Sequence, residues 1–191
     1  YSEDNGRGGD LSIVAWHLQA LKAAKHTGLE LKNLTRSVRA GLDYTTGLRT
    51  PEGTFGYSGP SMKGDGVTLG AAGALCFQMW DKSSSKEARG ACKFIDENAK
   101  FGWNTPDSDL YGHYYAAQCM MNFGGDPWKR YNEKFRDQVL NNQLPDGSFK
   151  PAGFGAFRGT NVFGKHYRAC LSILMLEVYY RFLPATGAKT K

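Results

Sequence analysis

Apolar positions recur along this chain at intervals of three and four, the spacing that puts side chains on one face of an α-helix. Leu11, Val14, Leu18 and Leu21 make the first such face. Asp10 precedes it as an N-cap whose carboxylate would accept from first-turn N–H groups, and Gly28 closes it as a left-handed C-cap. Leu34, Val38 and Leu42 mark a second helix from Asn33 to Thr46, and Arg49-Thr50-Pro51-Glu52-Gly53 then reads as a turn. Thr68 to Trp80 is a helix of small residues, Gly70-Ala71-Ala72-Gly73-Ala74, suited to close packing, whereas Glu87 to Lys100 is amphipathic. A third pair opens at Asp109 or Leu110 and closes at Gly124-Gly125. The next helix has Pro127 in its first turn and Trp128, Tyr131, Phe135 and Val139 along it. A long loop from Lys150 to Gly164 leads into a last helix, His166 to Phe182, which Pro184 stops. No period-two alternation competes. The pattern predicts about seven helices, alternating between an apolar small-residue type and a charged amphipathic type, as inner and outer layers would require.

Between the helices a short element returns. Pro51-Glu52-Gly53-Thr54-Phe55 reappears as Pro145-Asp146-Gly147-Ser148-Phe149, with Phe101-Gly102-Trp103 as a reduced copy. The closing aromatics fall at 55, 103 and 149, spacings of 48 and 46, and a period in the forties is that of an array of helical pairs. The glycine permits a tight turn, the aromatic can fold back between helix ends, and a preceding Gln can bond exposed backbone groups there.

Gln143-Leu144-Pro145-Asp146-Gly147-Ser148-Phe149 has the form Q-x-x-x-G-x-aromatic. It resembles the QW motif of squalene and hopene cyclases, with Phe in the Trp position. Arg89-Gly90, Phe94-Ile95 and Gly102-Trp103 resemble a second copy lacking the Gln and one spacer. With the helix-pair period, the chain is similar to the prenyltransferase and squalene-oxidase repeat superfamily, of terpenoid cyclase-like fold. The likeness is closest to bacterial proteins carrying these repeats, through Trp16 to Gly28, Phe55-Gly56-Tyr57, Tyr114 to Trp128 and Leu171 to Pro184. It implies an all-α fold of the α/α-toroid kind in a single domain over 1–184, with 185–191 as a frayed tail. About three and a half pairs are present where that family's closed rings use about five to seven. The expectation is an open arc, part of a longer protein, or a protomer whose edges a partner covers.

The family's chemistry is only partly matched. Class II terpenoid cyclases protonate an alkene with a D-x-D-D motif, whose crowded carboxylates keep one proton available. Asp107-Ser108-Asp109-Leu110 lacks the fourth acid, and Asp109 also suits a helix cap. Protein prenyltransferases hold zinc with an Asp, a Cys two residues later and a distant His, the thiolate carrying much of the affinity. Lys63-Gly64-Asp65-Gly66-Val67 has Val67 in the Cys place, and Asp109-Leu110-Tyr111-Gly112-His113 holds the His one residue displaced. The Cys-Gly-Glu-Gln run of thioester relatives is absent. Asp65, Asp109 and His113 are thus the catalytic candidates, with no metal and no cofactor expected. His17, His26, His113 and His166 show no metal spacing. A glycosidase-like carboxylate pair would have to come from Glu52, Asp65, Asp109 and Asp146, but Glu52 and Asp146 hold equivalent turn positions, which favours structure.

The segment Gly153-Phe154-Gly155-Ala156-Phe157-Arg158-Gly159-Thr160-Asn161-Val162-Phe163-Gly164 is long and aromatic. With Tyr57, Tyr111, Tyr114, Tyr115, Phe157 and His166 near helix N-termini, it would rim a pocket for an isoprenoid, a lipid or a sugar ring. The alternative is a self-packing loop that covers one end of the array.

Composition narrows the classes further. Of 191 residues, 41% are hydrophobic and 13% aromatic, which suffices for a core, and no apolar run reaches the ~20 residues of a membrane span. Net charge is +6, but the cations are scattered along amphipathic helices and no nucleic-acid-binding motif accompanies them. Cys76, Cys119 and Cys170 sit in apolar helical stretches and read as small buried hydrophobes, and Cys92 completes the set without any C-x-x-C pair. The first residue is Tyr, so the chain reads as a processed form or an excised fragment, and a removed leader would make it secreted or periplasmic. The resulting expectation is a repeat protein that binds an apolar small molecule or a protein partner on its concave helical surface without the family's catalytic motifs. The alternative is a diverged terpenoid cyclase or prenyltransferase or, further off, a carbohydrate-active enzyme.

Overall fold

The structure, a computed structural model, describes residues 9–180; Pro184 and the tail expected at 185–191 lie outside the described residues. Among the described residues are seven α-helices and one 3₁₀ turn. They are α1 (Leu11–His26), α2 (Leu34–Gly47), α3 (Val67–Gln78), α4 (Lys86–Asn98), α5 (Leu110–Phe123), α6 (Gly125–Leu140) and α7 (Val162–Leu176), with η1 (Gly155–Arg158) before α7. The chain is all-α: its extended pairing among the described residues consists of two isolated bridges, Arg49 with Phe55 and Gln143 with Phe149.

Helix ends follow local chemistry. The Asp10 carboxylate accepts from the Ile13 N–H at 3.1 Å, and α1 closes through Gly28 at φ 75°. Ser85 Oγ accepts from the Ala88 N–H at 3.2 Å at the start of α4. Helix α7 begins four residues before the expected His166, because the Asn161 side chain accepts from the Gly164 N–H at 2.8 Å and so caps an earlier turn. It closes at Leu176. Asp109 stands at the N-cap position of α5 without a side-chain capping bond. At α3 the cap position belongs to Gly66, left-handed at φ 73°, and Asp65 accepts from the Val67 N–H at 2.9 Å.

The alternation of helix types holds in the middle of the chain and not at its ends. Most residues of α3 and α5 are buried, while α2 buries only Val38, Leu42 and Thr45, and α6 only Tyr131, Phe135 and Val139; α1 buries only Leu11, Ala15 and Leu18. The helices gather into two compact units, Tyr1–Phe94 and Ile95–Lys191, with the division inside α4. In the first unit α1 packs on α2 and α3, and α2 on α3. In the second α5 packs on α6 and α7, and η1 on α7.

The recurring turn has one hydrogen-bond pattern in both units. Thr50 N–H donates to Thr54 O, Gly53 N–H to Thr50 O and Gly56 N–H to Leu48 O; shifted by 94 positions, Leu144 donates to Ser148, Gly147 to Leu144 and Lys150 to Asn142. Gly53 and Gly147 both have positive φ, 92° and 83°, which only glycine adopts without strain. The closing rings are buried. Phe55 lies flat on α3, where a Cβ at Gly73 would fall 2.3 Å from its Cδ2. Phe149 packs near Trp103, with ring centroids 6.1 Å apart.

The reduced copy at 101–103 differs. Gln138, from α6, bonds it from outside: its Nε2 donates to Phe101 O at 3.1 Å, and its Oε1 accepts from the Trp103 N–H at 2.9 Å. The stapling role expected of Gln143 therefore falls to Gln138, while Gln143 reaches only Gly147 O of its own turn. The reason is reach: Gln138 lies on a helix facing the 101–103 segment, whereas Gln143 is held inside the bridge.

Candidate functional site

The loop between the second turn and α7 is held open to solvent on one side and bonded tightly on the other. Arg168, 2% exposed, sends Nε to Phe149 O at 2.9 Å and Nη1 to Phe157 O and Gly159 O at 2.7 and 3.0 Å. Burial lowers its pKa from the usual guanidinium value. Three carbonyls stand in for the carboxylate that such a cation usually pairs with. Arg158 Nε donates to Gly153 O and the Ala152 N–H to Phe157 O, so the segment is fixed at both ends of η1.

On that support four rings form a ladder. Phe154 stacks with Phe157 at 6.4 Å, Phe157 with Tyr167 at 5.0 Å, and Tyr167 with Phe163 at 5.6 Å, with interplanar angles below 30°. Phe157 is buried at 3% exposure, but the ladder ends in Phe154 and Phe163, exposed at 41% and 67%. Val162 adds a further exposed apolar side chain at the start of α7. Burial first, then the nearby Tyr111 and Asp109, raise the Tyr167 pKa. The phenol and the carboxylate at the start of α5 are thus within electrostatic range of Tyr167.

The residues singled out from sequence divide between the two units. Tyr111, Tyr114, Tyr115, Phe157, His166, Asp109 and His113 lie in the second; Tyr57 and Asp65 lie in the first. Tyr111 and Tyr115 pair edge to face with hydroxyls 3.2 Å apart, and Tyr114 packs beside Tyr115. Tyr114 and Tyr115 are buried at 7% and 1%, so they back the surface rather than form it. His166 is exposed on α7, its Nδ1 on Val162 O. Tyr57 belongs to the α1 cap: its carbonyl accepts the Leu11 N–H, and its hydroxyl bonds the Asp10 carboxylate. Asp65 is exposed at the start of α3.

His113 is buried and spoken for. Nε2 lies 3.2 Å from Asp107 O, which can only accept, so that nitrogen carries the proton; Nδ1 then accepts from the Tyr131 hydroxyl at 2.7 Å. Phe101 closes the ring edge at 4.8 Å. Such a histidine positions α5 against α6. Among the described residues no three His, Cys, Asp or Glu side chains gather as a metal site would need. The described cysteines are free, Cys76, Cys92 and Cys119 buried and Cys170 exposed, which corrects the burial expected of Cys170. Burial pushes the Cys76 thiol up to about 12, leaving it inert.

Sequence reasoning missed Tyr167, the middle of the ladder. The signal was present: Tyr167 stands four residues after Phe163, neighbours on one helix face. The late start assigned to α7 hid it. No protein-family model, curated protein or solved structure matches the chain.

Proposed function

We propose that this is a helical-repeat binding protein, related in design to the prenyltransferase and squalene-oxidase repeat proteins, which takes an apolar ligand on the aromatic ladder of its second unit. The observation that carries the reading is the exposure of two phenylalanines at the ends of a ladder whose support is fully bonded. An isolated exposed ring is unremarkable, but a contiguous rigid aromatic surface is a binding feature. Its polar border, Tyr111 and Asp109, offers a hydroxyl and a carboxylate that suit an alcohol or hydroxylated head better than a diphosphate, which Asp109 would repel.

Thermal shift with farnesol, farnesyl diphosphate and a cello-oligosaccharide tests it. At about a hundred times its Kd, a ligand raises stability by ~2.7 kcal/mol. Farnesol is expected to raise the melting point and farnesyl diphosphate to do so less. Phe163→Ser should remove the farnesol shift without lowering the unliganded melting point, since the side chain is mostly exposed. No shift with any of the three, or an unchanged shift in Phe163→Ser, overturns the assignment. Product formation from farnesyl diphosphate that Asp109→Asn abolishes would establish the enzyme alternative instead.

A further inference from the structure

In the first unit, α1 and α2 enclose a groove of about 580 Å³, within the ~300–1,000 Å³ of small-ligand sites. Val14, Leu18, Leu21 and Ala24 line it from α1, and Ser37 and Gly41 from α2, with His17 the one ionisable lining group among the described residues. Gly41 forms the floor: a Cβ there would come 3.0 Å from Leu18 Cδ2.

The matching helix of the second unit carries larger side chains on its inner face. Helix α6 turns Tyr131, Phe135 and Val139 inward, whereas α2 turns in only the smaller Val38, Leu42 and Thr45. The Tyr131 and Phe135 rings are fully buried, at 0% exposure. On the groove side α2 presents only the hydroxymethyl of Ser37 and the hydrogen of Gly41, which leaves the space beside α1 unfilled.

The charge around the groove is polarised. The helices run antiparallel, Leu18 against Gly41 and the Tyr44 hydroxyl donating to Gly9 O. At the end near the connecting loop stand His26, in the last turn of α1, then Lys32 and Arg36, with Glu30 the one acid among the described residues there, while Lys25 lies over the Trp80 ring. Helix α1 ends and α2 begins there, so the two helix termini offset one another and the positive potential comes from the side chains. Asp10 and Asp43 mark the opposite end.

We propose that the groove binds a single-chain anionic amphiphile, with its alkyl chain along α1 and its carboxylate at the basic end, beside Arg36 and Lys32. From Val14 to Ala24 the groove follows about three helical turns, ~15 Å, which matches an extended chain of about twelve carbons. The site is separate from the aromatic ladder, and the proposal does not depend on the function assigned to that surface.

Titration calorimetry with dodecanoate, dodecanol and dodecyltrimethylammonium, each below its micelle threshold, tests the proposal. Dodecanoate should bind at one per chain, the alcohol at least about tenfold more weakly, and the cationic amphiphile more weakly still. Ser37→Tyr, which places a ring in the groove, should cut dodecanoate affinity at least about tenfold without lowering the melting point. Ala24→Leu should do the same from the other wall. The double variant Lys32→Glu, Arg36→Glu should weaken dodecanoate and leave dodecanol unchanged. Equal affinity for all three head groups, or unaltered dodecanoate binding in both filling variants, overturns the proposal. So does a concentration-dependent dimer that Ser37→Tyr disrupts and dodecanoate does not displace, because a second copy would then be the occupant.

Discussion

Gly73 sits in the middle of a buried helix, where glycine costs ~1 kcal/mol against alanine. The ring of Phe55 explains the choice. A Cβ at Gly73 would lie 2.3, 2.6 and 2.7 Å from three of its ring carbons, and Phe55 is fully buried. Burying a phenylalanine is worth up to ~3 kcal/mol, which exceeds the propensity lost. Gly73→Ala is therefore expected to destabilise by about 1–3 kcal/mol despite its better helix propensity. Chemical denaturation would show a lower midpoint with an unchanged slope, whereas a higher midpoint would mean that Phe55 can move aside. Arg168 is the second residue whose identity is fixed by its surroundings. Arg168→Ala leaves the carbonyls of Phe149, Phe157 and Gly159 without that donor and should cost about 3 kcal/mol. Arg168→Lys should recover little of it, because a single ammonium group cannot span the three acceptors. Proteolysis between 150 and 160 would report the loosened segment in both variants.

At the scale of elements, the turn that recurs at 50–56 and 144–150 docks a buried ring at the close of α2 and of α6. The segment after α4 reaches the same end by different bonds, with Gln138 as its clamp. Gln138→Ala should cost about 1–2 kcal/mol, since it strands a half-buried N–H and carbonyl. Gln143→Ala, which loses one long bond at the surface, should stay within about 0.5 kcal/mol; equal effects would contradict the division of roles. Helix number and type were legible because the apolar period is strong and Asp10, Gly28 and Pro127 carry local signals. The start of α7 was not, because an Asn cap after a glycine-rich loop competes with the general expectation that such a loop continues. Gln138 was illegible for a different reason. Its partners, at 101 and 103, are set by how α6 packs, and no short-range pattern encodes that. The exposed aromatics were visible as a composition, whereas their alignment into a ladder depends on Arg168, a buried cation whose acceptors are backbone groups and leave no trace in side-chain pattern.

For the molecule as a whole, acid is the most direct probe of its charges. Arg130 bonds Asp96 at 3.0 Å through Nε and again through Nη2. That bond, opposed by some burial and aided by the charges of Arg130 and Lys134, holds the Asp96 carboxyl below the usual range. A depressed carboxyl stabilises the fold above its unfolded pKa of about 3.9, and the contribution is lost as pH falls through the lower folded value. Asp96→Asn should therefore be less stable than the parent near neutrality and converge with it at about pH 2, as melting curves across that range would show. Parallel curves at every pH would remove Asp96 from the account. The loop anchor behaves in another way. Peptide carbonyls have no proton to gain, and a guanidinium already has all of its own, so the clasp formed by Arg168 contains nothing that ordinary acidification can unfasten. Whatever sourness takes from the fold, it takes elsewhere than at this clasp.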